Sequence, residues 1–270
     1  MTPVTDANAV ASAVQAVKAR GGDFRTNFFP SPKKLQTWIE HTELFIVPHD
    51  ELAVFLRRDC DFWHLYFAGD LQALPSLAPL NSKRIMVDLI GTEAALIGLL
   101  VAFETAGFRR YTRLLRMART ESKDGPAKSE PPDSRVRFAE LADCEPILDL
   151  LCQSFNRYAE QLPQLYELEA AVKDRQILIA NDHNTLAGLL YFETQGFTSL
   201  MRYWLIAEAY RDRHFGSVLI RRYLTEQNIV RRFILWVIDG NENAFRKYQH
   251  YGYSPDGLVD QVMANPLIHS

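Results

Sequence analysis

The stretch Tyr210–Ile220, which reads YRDRHFGSVLI, follows the apolar run Leu200–Ile206 and leads into a helical pattern. The apolar run predicts a strand, and the spacing of Phe215 and Leu219 predicts a buried helix face. Gly216 is therefore expected at a helix start. A helix start presents unpaired amides and the positive end of the helix dipole, and glycine lets a ligand approach the backbone. The stretch predicts an anion site.

A second stretch, Ala244–Tyr253, comes after the strand-like pattern Arg232–Ile238. Its residues are expected to form a helix that carries Tyr248. Gly252 fits the left-handed residue that commonly ends a helix. A strand, a helix with a tyrosine and a Gly-aromatic pair are thus expected in this order.

Together, the two stretches resemble the GNAT superfamily of acyl-CoA-dependent N-acyltransferases, over residues 134–268. The family's phosphate loop reads Arg or Gln, two residues, Gly, one residue, and Gly or Ala. Arg211, His214 and Gly216 occupy these places. His214 replaces the first glycine. With a negative φ at His214 the cradle of amides still forms, whereas a positive φ would strain it by about 1 to 2 kcal/mol.

The resemblance implies that acetyl-CoA or another acyl-CoA is the co-substrate, with no metal. Tyr248 would be the general acid that protonates the departing thiolate, since a phenol keeps its proton at neutral pH. The backbone amide near Leu205 or Ile206 would polarise the thioester carbonyl. The resemblance also implies that Asn243 opens the helix of Tyr248. The residues to which it assigns CoA contacts are Leu205, Ile206, Arg211, Arg213, His214, Phe215, Gly216, Ser217 and Asn243.

The predicted reaction is direct attack of an amine on the thioester, without a covalent enzyme intermediate. The amine must lose a proton, and Glu193 and Glu208 are candidate bases. A glutamate at either place is more often a solvated surface carboxylate than a base, so the base stays open. The acceptor is a small-molecule or protein amine, and its pocket is expected from residues 156–166 and 194–198.

Residues 120–134 hold three prolines and no core residue, which predicts a linker between two domains. The element order before and after it predicts an α/β (α+β) fold of two GNAT-like domains, residues 1–119 and 135–270. Each domain is expected to be a twisted mixed sheet flanked by helices.

The first domain is expected to be degenerate and non-catalytic. Its Gly107–Phe108 pair repeats Gly252–Tyr253, but Phe103 stands at the place of Tyr248 and has no proton to give. No glycine-bearing phosphate loop is recognisable before the last strand of this half. An unrelated α/β domain that ends in a helix and a strand is the alternative.

Composition places limits on the function. The 270 residues are 47% hydrophobic and 23% charged with a net charge of -3, which gives no pull toward nucleic acid or an anionic membrane. We expect a cytoplasmic protein without signal peptide or membrane span, and the oligomeric state stays open. The predicted function is acyl-CoA-dependent N-acyltransferase, most simply an N-acetyltransferase. A CoA-binding regulatory or scaffolding protein that has lost catalysis is the alternative.

Overall fold

A computed structural model describes residues 1–121, 133–183 and 185–268. The fold is mixed α/β, with twisted mixed sheets flanked by helices, which confirms the predicted fold class. Most of the predicted linker 120–134 lies outside the described residues. No helix in the described part of the chain is long and apolar enough to cross a membrane.

The elements alternate between helices and strands along most of the chain. The α-helices are α1 (Ala7–Lys18), α2 (Pro32–Glu40), α3 (Glu93–Thr105), α4 (Cys144–Ser154), α5 (Arg157–Glu160), α6 (Leu165–Lys173), α7 (Phe215–Glu226) and α8 (Glu242–His250). The strands are β1 (Thr2–Pro3), β2 (Phe24–Thr26), β3 (Leu44–Val47), β4 (Leu52–Arg58), β5 (Trp63–Asp70), β6 (Ile85–Gly91), β7 (Arg109–Thr120), β8 (Val136–Phe138), β9 (Ile177–Asp182), β10 (Thr185–Gln195), β11 (Thr198–Ile206), β12 (Arg232–Ile238) and β13 (Ser254–Ala264).

Two compact units form, one from Met1–Leu115 with Gly257–Ser270 and the other from Arg116–Asp256. These units are drawn differently from the predicted domains 1–119 and 135–270. The difference arises because β13 pairs with β6 of the first unit along Val259–Ala264. Strand pairing, which is not encoded locally, assigns the end of the chain to the first unit.

In the first unit, β4 lies inside the strand order β1-β3-β4-β5-β6-β13 and is buried on both faces. Because side chains alternate along a strand, Val54 and Leu56 join one core and Ala53 and Phe55 join the other. Helices α1 and α2 cover the second core, and α3 covers the first. A strand buried on both faces reads as a continuous apolar run, as it does here.

The second unit has the strand order β7-β12-β11-β10-β9-β8. Strands β11 and β12 run parallel, whereas β8, β9, β10 and β11 pair antiparallel in turn. Leu189 and Tyr191 of β10 join the core beneath α4 and α6. On the opposite face, Phe192 packs on Tyr223 of α7, with ring centroids 5.0 Å apart. Helices therefore cover both faces of this sheet.

Candidate active site

An opening separates the ends of β11 and β12 in the second unit. The two strands pair from Thr198 opposite Arg232 to Met201 opposite Leu235. Beyond this point β11 continues to Ile206 and β12 to Ile238, with no further pairing between them in the described chain. Unpaired strand ends leave backbone amides available to a ligand.

A bulge in β11 lies at the base of this opening. On β10, Tyr191 pairs with Tyr203 and the next residue, Phe192, pairs with Met201, so Arg202 is the extra residue. Such a bulge shifts the alternation of the strand by one position. The amides beyond Arg202 therefore face the opposite sides from those that an unbroken strand would give.

The shifted alternation decides which amide at the end of β11 faces the opening. The Ala207 amide donates to the Ala187 carbonyl of β10 at 2.9 Å. Because successive amides of a strand point to opposite sides, the Leu205 amide also faces β10 and the Ile206 amide faces away from it. The candidate donors were the amides of Leu205 and Ile206, and of these the Ile206 amide is directed into the opening.

The loop after β11 contains two residues in the left-handed region, Asp212 with φ of 64° and His214 with φ of 65°. The sequence left the sign of φ at His214 open, and the structure has the positive value, which is the strained alternative. Asp and His are among the residue types that tolerate this region best, yet a non-glycine residue there still costs about 1 to 2 kcal/mol. The strain lies at the residue that begins α7.

Helix α7 begins without a side-chain cap. The amide of Val218 donates to the His214 carbonyl at 3.2 Å, and this is the first bond of the helix. The amides of Phe215, Gly216 and Ser217 have no acceptor among the residues that the structure describes. Unsatisfied amides at the positive end of a helix dipole bind anions.

The fold does not require glycine at position 216. A Cβ on Gly216 would lie 3.5 Å from Trp204 Cζ2 and 3.6 Å from Ile206 Cγ1, which are ordinary contacts. Its φ does not lie in the left-handed region. Glycine inside a helix costs about 0.5 to 1 kcal/mol relative to alanine. The contacts of the fold therefore do not account for the glycine at this position.

The two arginines of the loop differ in their surroundings. Arg213 is exposed, pairs with Asp182 at 2.9 Å and lies over the Tyr210 ring at 5.4 Å. Arg211 is exposed, and no side chain in the described ranges pairs with its guanidinium. Arg211 is thus the arginine of this loop that is available to an incoming phosphate.

Tyr248 of α8 lies against Trp204 of β11, with ring centroids 5.9 Å apart. Its ring is half-buried, and its hydroxyl makes no hydrogen bond to any described residue. Burial, with a smaller contribution from the charge of Glu160, raises the pKa of Tyr248 to about 12. The phenol therefore holds its proton throughout the neutral range.

Asn241 caps α8, by accepting a hydrogen bond from the Ala244 amide at 3.1 Å. The prediction that Asn243 opens this helix is wrong, because the cap lies two residues earlier. Asn243 is exposed in the first turn of α8.

The end of α8 follows the prediction. Gly252 has φ of 82°, its amide donates to the Gln249 carbonyl at 2.9 Å, and the Tyr253 amide donates to the Tyr248 carbonyl at 3.1 Å. This pair of bonds is a Schellman motif with glycine at the left-handed position. The predicted role of Gly252 in ending the helix is confirmed.

Residues 144–253, which include the loop, α7 and α8, match the profile of the Acetyltransferase (GNAT) family. Residues 144–253 form a GNAT domain. The family and its fold support acyl transfer from CoA to an amine in general. The comparison with curated proteins gave no match.

Solved structures of GNAT proteins resemble nearly the whole chain. A tandem GNAT protein from the clavulanic acid biosynthesis pathway has a TM-score of 0.58 at 11% identity, with 97% of each chain covered. A GCN5-related N-acetyltransferase from Kribbella flavida has a TM-score of 0.57 at 14% identity, with 94% of this chain and 95% of that chain covered. A GNAT-family protein from Novosphingobium aromaticivorans, described there as a putative acetyltransferase, has a TM-score of 0.55 at 16% identity, with coverage of 82% and 90%. These likenesses show the fold, and the tandem protein supports a two-domain layout.

Two carboxylates of the GNAT domain are the predicted bases. Glu193 accepts hydrogen bonds from Arg202 Nη1 at 2.8 Å and from the Tyr191 hydroxyl at 3.3 Å. Since Arg202 is largely buried, Glu193 serves to neutralise it. Glu208 is exposed in the 3₁₀ turn Glu208–Tyr210. Glu193 is therefore held in an ion pair, and Glu208 is open to water.

Sequence reasoning missed a third carboxylate, Glu160, at the end of α5. Its Oε2 accepts from the Asn156 amide at 3.0 Å, and burial raises its pKa above the usual value. Its charge in turn helps to raise the pKa of Tyr248. Glu160 lies inside the segment 156–166 from which the acceptor pocket was expected. No sequence signal distinguishes it from an ordinary surface glutamate.

The first unit repeats the way in which the GNAT domain ends its tyrosine helix. The Gly107 amide donates to the Glu104 carbonyl at 3.0 Å, and the Phe108 amide donates to the Phe103 carbonyl at 3.0 Å. Gly107 has φ of 91°. Phe103 thus holds the position of Tyr248, but it is fully buried between Phe67 and Phe108. A proton donor is missing there.

The corresponding strand opening of the first unit is filled by its own chain. Strands β5 and β6 pair at Trp63–Ile85 and His64–Met86. Further along, β5 pairs instead with β2, from Thr26 opposite Ala68 to Phe24 opposite Asp70. Since β4 occupies the other edge of β5 at these residues, β2 lies on the edge that faces β6.

Asn27 bridges the two strands that diverge in the first unit. Its Nδ2 donates to the Leu65 carbonyl of β5 at 3.0 Å and to the Asp88 carbonyl of β6 at 3.2 Å. Its Oδ1 accepts from the Phe67 amide at 2.8 Å. The backbone groups that line the open cleft in the GNAT domain are therefore already bonded in the first unit.

Proposed function

We propose that the GNAT domain is an acyl-CoA-dependent N-acyltransferase, most simply an N-acetyltransferase, whose acceptor is a small-molecule or protein amine. One observation carries the proposal. Gly216, at the uncapped start of α7, and Tyr248, with its unbonded hydroxyl, both lie against the indole of Trp204. An anion site and a proton donor thus flank one strand end, where a thioester with a phosphate tail would need both.

Each step of the reaction has a candidate group. The amides of Phe215, Gly216 and Ser217 and the guanidinium of Arg211 would hold the pyrophosphate. The Ile206 amide, directed into the opening, would donate to the thioester oxygen as negative charge develops there. Tyr248 would give its proton to the sulfur as the carbon–sulfur bond breaks.

The same residues exclude some assignments within the proposal. Leu205 would line the site only by its side chain, because its amide faces β10. Arg213, paired with Asp182, would contribute charge near the phosphates instead of a direct contact. Asn243, in the first turn of α8, would reach the ligand only from the helix surface. His214 would act through its backbone.

The first unit enters the proposal as a non-catalytic domain. Its opening holds β2 and Asn27, and Phe103 replaces the tyrosine. A cytoplasmic location and the absence of a nucleic-acid partner remain part of the same proposal, on the grounds of composition alone.

The alternative is a domain that binds CoA without catalysis. The left-handed His214 favours it, since the family has glycine at this place and histidine is strained there. The free hydroxyl of Tyr248 favours the enzyme, because a binding module has no need for an unbonded phenol beside the cleft.

Calorimetric titration with acetyl-CoA, followed by an assay of CoA thiol release with and without added primary amines, tests the proposal. We expect binding in the micromolar range and release that depends on the amine. Binding without release would favour the binding module. No binding of acetyl-CoA or of longer acyl-CoAs would overturn the proposed function. Gly216→Val, which crowds the amides, is the matched variant and should bind far more weakly.

A further inference from the structure

Glu160 is a half-buried carboxylate without a cationic partner. Its one hydrogen bond is the 3.0 Å contact from the Asn156 amide to Oε2. Within the described part of the chain, no Lys, Arg or His pairs with its carboxylate. A charge removed from water without a cationic partner is costly. The Asn156 amide at the start of α5 satisfies Oε2, and Oε1 has no partner among the described residues.

The turn that carries Glu160 is bonded to β11, one of the two strands that border the opening. The Tyr203 hydroxyl lies 2.9 Å from the Glu160 carbonyl and 2.8 Å from the Gln161 carbonyl. Tyr203 stands on β11 beyond its pairing with β12, and its neighbour Trp204, which contacts Tyr248, points to the opposite face of the strand. The turn that carries Glu160 is therefore anchored to the strand whose end would hold the thioester.

The other charged groups of this neighbourhood are engaged. Arg202 Nη2 donates to the Gln161 carbonyl at 3.1 Å, but its Nη1 is bonded to Glu193. The charges of Glu160 and, from α6, Glu167 raise the pKa of Tyr203, and the charge of Glu160 also raises the pKa of Tyr248. Burial raises the pKa of both phenols to about 12, so neither carries a charge at neutral pH.

We infer that Glu160 binds the ammonium group of the acceptor and takes the proton that the amine must lose before it attacks. The inference rests on the proposed function and names its acceptor class, a primary amine that is cationic in solution. Carboxylate and ammonium would neutralise each other, and the faces of the neighbouring tyrosines favour a cation.

The proton balance of the reaction closes with these groups. The ammonium gives one proton to the Glu160 carboxylate, and the nitrogen lone pair forms the new bond to the thioester carbon. The carbon–sulfur bond breaks and its electron pair goes to sulfur, which receives the Tyr248 proton. The second proton lost by nitrogen returns to Tyr248, and the proton on Glu160 is released to water. The products are the amide and CoA thiol.

The raised pKa of Glu160 fixes how activity and stability should change with pH. Burial raises the pKa of Glu160, so the base form is lost at a higher pH than for an exposed glutamate as the solution is acidified. The folded chain binds this proton more strongly than the unfolded chain. The stability that this provides is therefore complete at low pH and is lost as the pH rises through the raised pKa.

The test compares Glu160→Gln with the wild-type full chain, using acetyl-CoA and a panel of primary amines. We expect kcat/KM to fall by about 100-fold or more while acetyl-CoA affinity stays unchanged. The acidic limb that the wild type owes to Glu160 should move up in pH and follow the pKa of the amine in the variant. The variant should regain rate with rising pH until the pKa of the amine is passed, because a neutral amine needs no base.

Thermal melting supplies a second arm that requires no acceptor turnover. At pH 8, Glu160→Gln should melt at or above the wild-type temperature, and n-butylamine should raise the melting temperature of the wild type but not of the variant. Glu193→Gln, which leaves Arg202 without its partner, should melt lower. Glu145→Gln, at an exposed position on α4, is the matched control and should change nothing.

The outcomes distinguish the inference about Glu160 from the proposed acyltransferase function. If the wild type transfers the acetyl group and Glu160→Gln keeps both its rate and its pH profile, the inference fails and the proposed function stands. A lower melting temperature of Glu160→Gln at pH 8 would also overturn it, since it would make the carboxylate structural. If the wild type does not bind acetyl-CoA, the proposed function itself fails.

Discussion

Trp204 and Tyr248 lie with ring centroids 5.9 Å apart and interplanar angle 46°, and this contact joins β11 to α8. The same indole would contact a side chain at Gly216. Trp204 therefore sets the distance between the amides that start α7 and the phenol that would protonate the leaving group. Substitutions on either side of Trp204 test different halves of the proposed reaction.

Replacing Tyr248 by phenylalanine removes the proton donor and keeps the ring. We expect turnover to fall by about 10- to 1,000-fold with acetyl-CoA affinity nearly unchanged, because the proton matters only in the transition state. Steady-state kinetics and calorimetry measure the two quantities. Tyr253→Phe is the matched control, since the Tyr253 hydroxyl is buried without a hydrogen-bond partner in the described structure. Equal turnover in Tyr248→Phe and wild type would remove Tyr248 from the acid role.

Gly216→Ala should separate fold stability from ligand binding. The new methyl group meets Trp204 and Ile206 at ordinary distances, so the helix should gain about 0.5 to 1 kcal/mol of stability. The same methyl stands beside the amides that would hold the pyrophosphate, so acetyl-CoA affinity should fall, and Gly216→Val should lower it further. Chemical denaturation and calorimetry report the two effects. A variant that is more stable and binds normally would place the phosphate site elsewhere.

His214→Gly should relieve the strain at the start of α7. A histidine in the left-handed region costs about 1 to 2 kcal/mol. Glycine removes this strain, but part of the gain is offset because glycine raises the backbone entropy of the unfolded chain. We expect a higher melting temperature with acetyl-CoA binding equal to or tighter than wild type. His214→Ala is the control and should melt lower than His214→Gly, because it keeps a Cβ. A lower melting temperature for the glycine variant would mean that the imidazole stabilises the loop.

Local patterns predicted the elements of the second unit well. The strand Arg232–Ile238 has the predicted bounds, and Gly252 ends α8 as expected, because each depends on residues close in sequence. The position of His214 was also visible in the sequence, but the sign of its φ was not, since both signs fit a loop. The prediction placed the cap at Asn243, but Asn241, two residues earlier, offers the same side chain and is the residue that accepts the Ala244 amide.

Tertiary pairing explains what the sequence did not reveal. Nothing local in β13 indicates that its second part pairs with β6, since that choice depends on residues far apart in sequence, such as Gly91 and Val259, which are 168 positions apart. Its register, like the bulge at Arg202, follows from the strand partner. Glu160 was missed for the same reason, because its surroundings come from Tyr203 and Tyr248.

The filled opening of the first unit predicts that one chain binds one acyl-CoA. Titration with acetyl-CoA should give a stoichiometry near one, since the backbone groups between β5 and β6 are bonded to β2 and Asn27. Asn27→Ala leaves the Phe67 amide and two carbonyls without that partner and should lower stability by about 1 to 3 kcal/mol. It should create no second binding site, because β2 remains paired to β5.

Asn8→Ala, at an exposed position of α1, is the control for this prediction and should leave stability nearly unchanged. Binding of two acyl-CoA molecules by the wild type would contradict the degenerate assignment of the first unit. A second site that appears only in Asn27→Ala would instead make Asn27 the group that closes a cleft still able to bind. If neither outcome is observed, the cleft of the first unit is part of its core. Its backbone groups then stabilise the sheet, whereas the corresponding groups of the GNAT domain would bind the ligand.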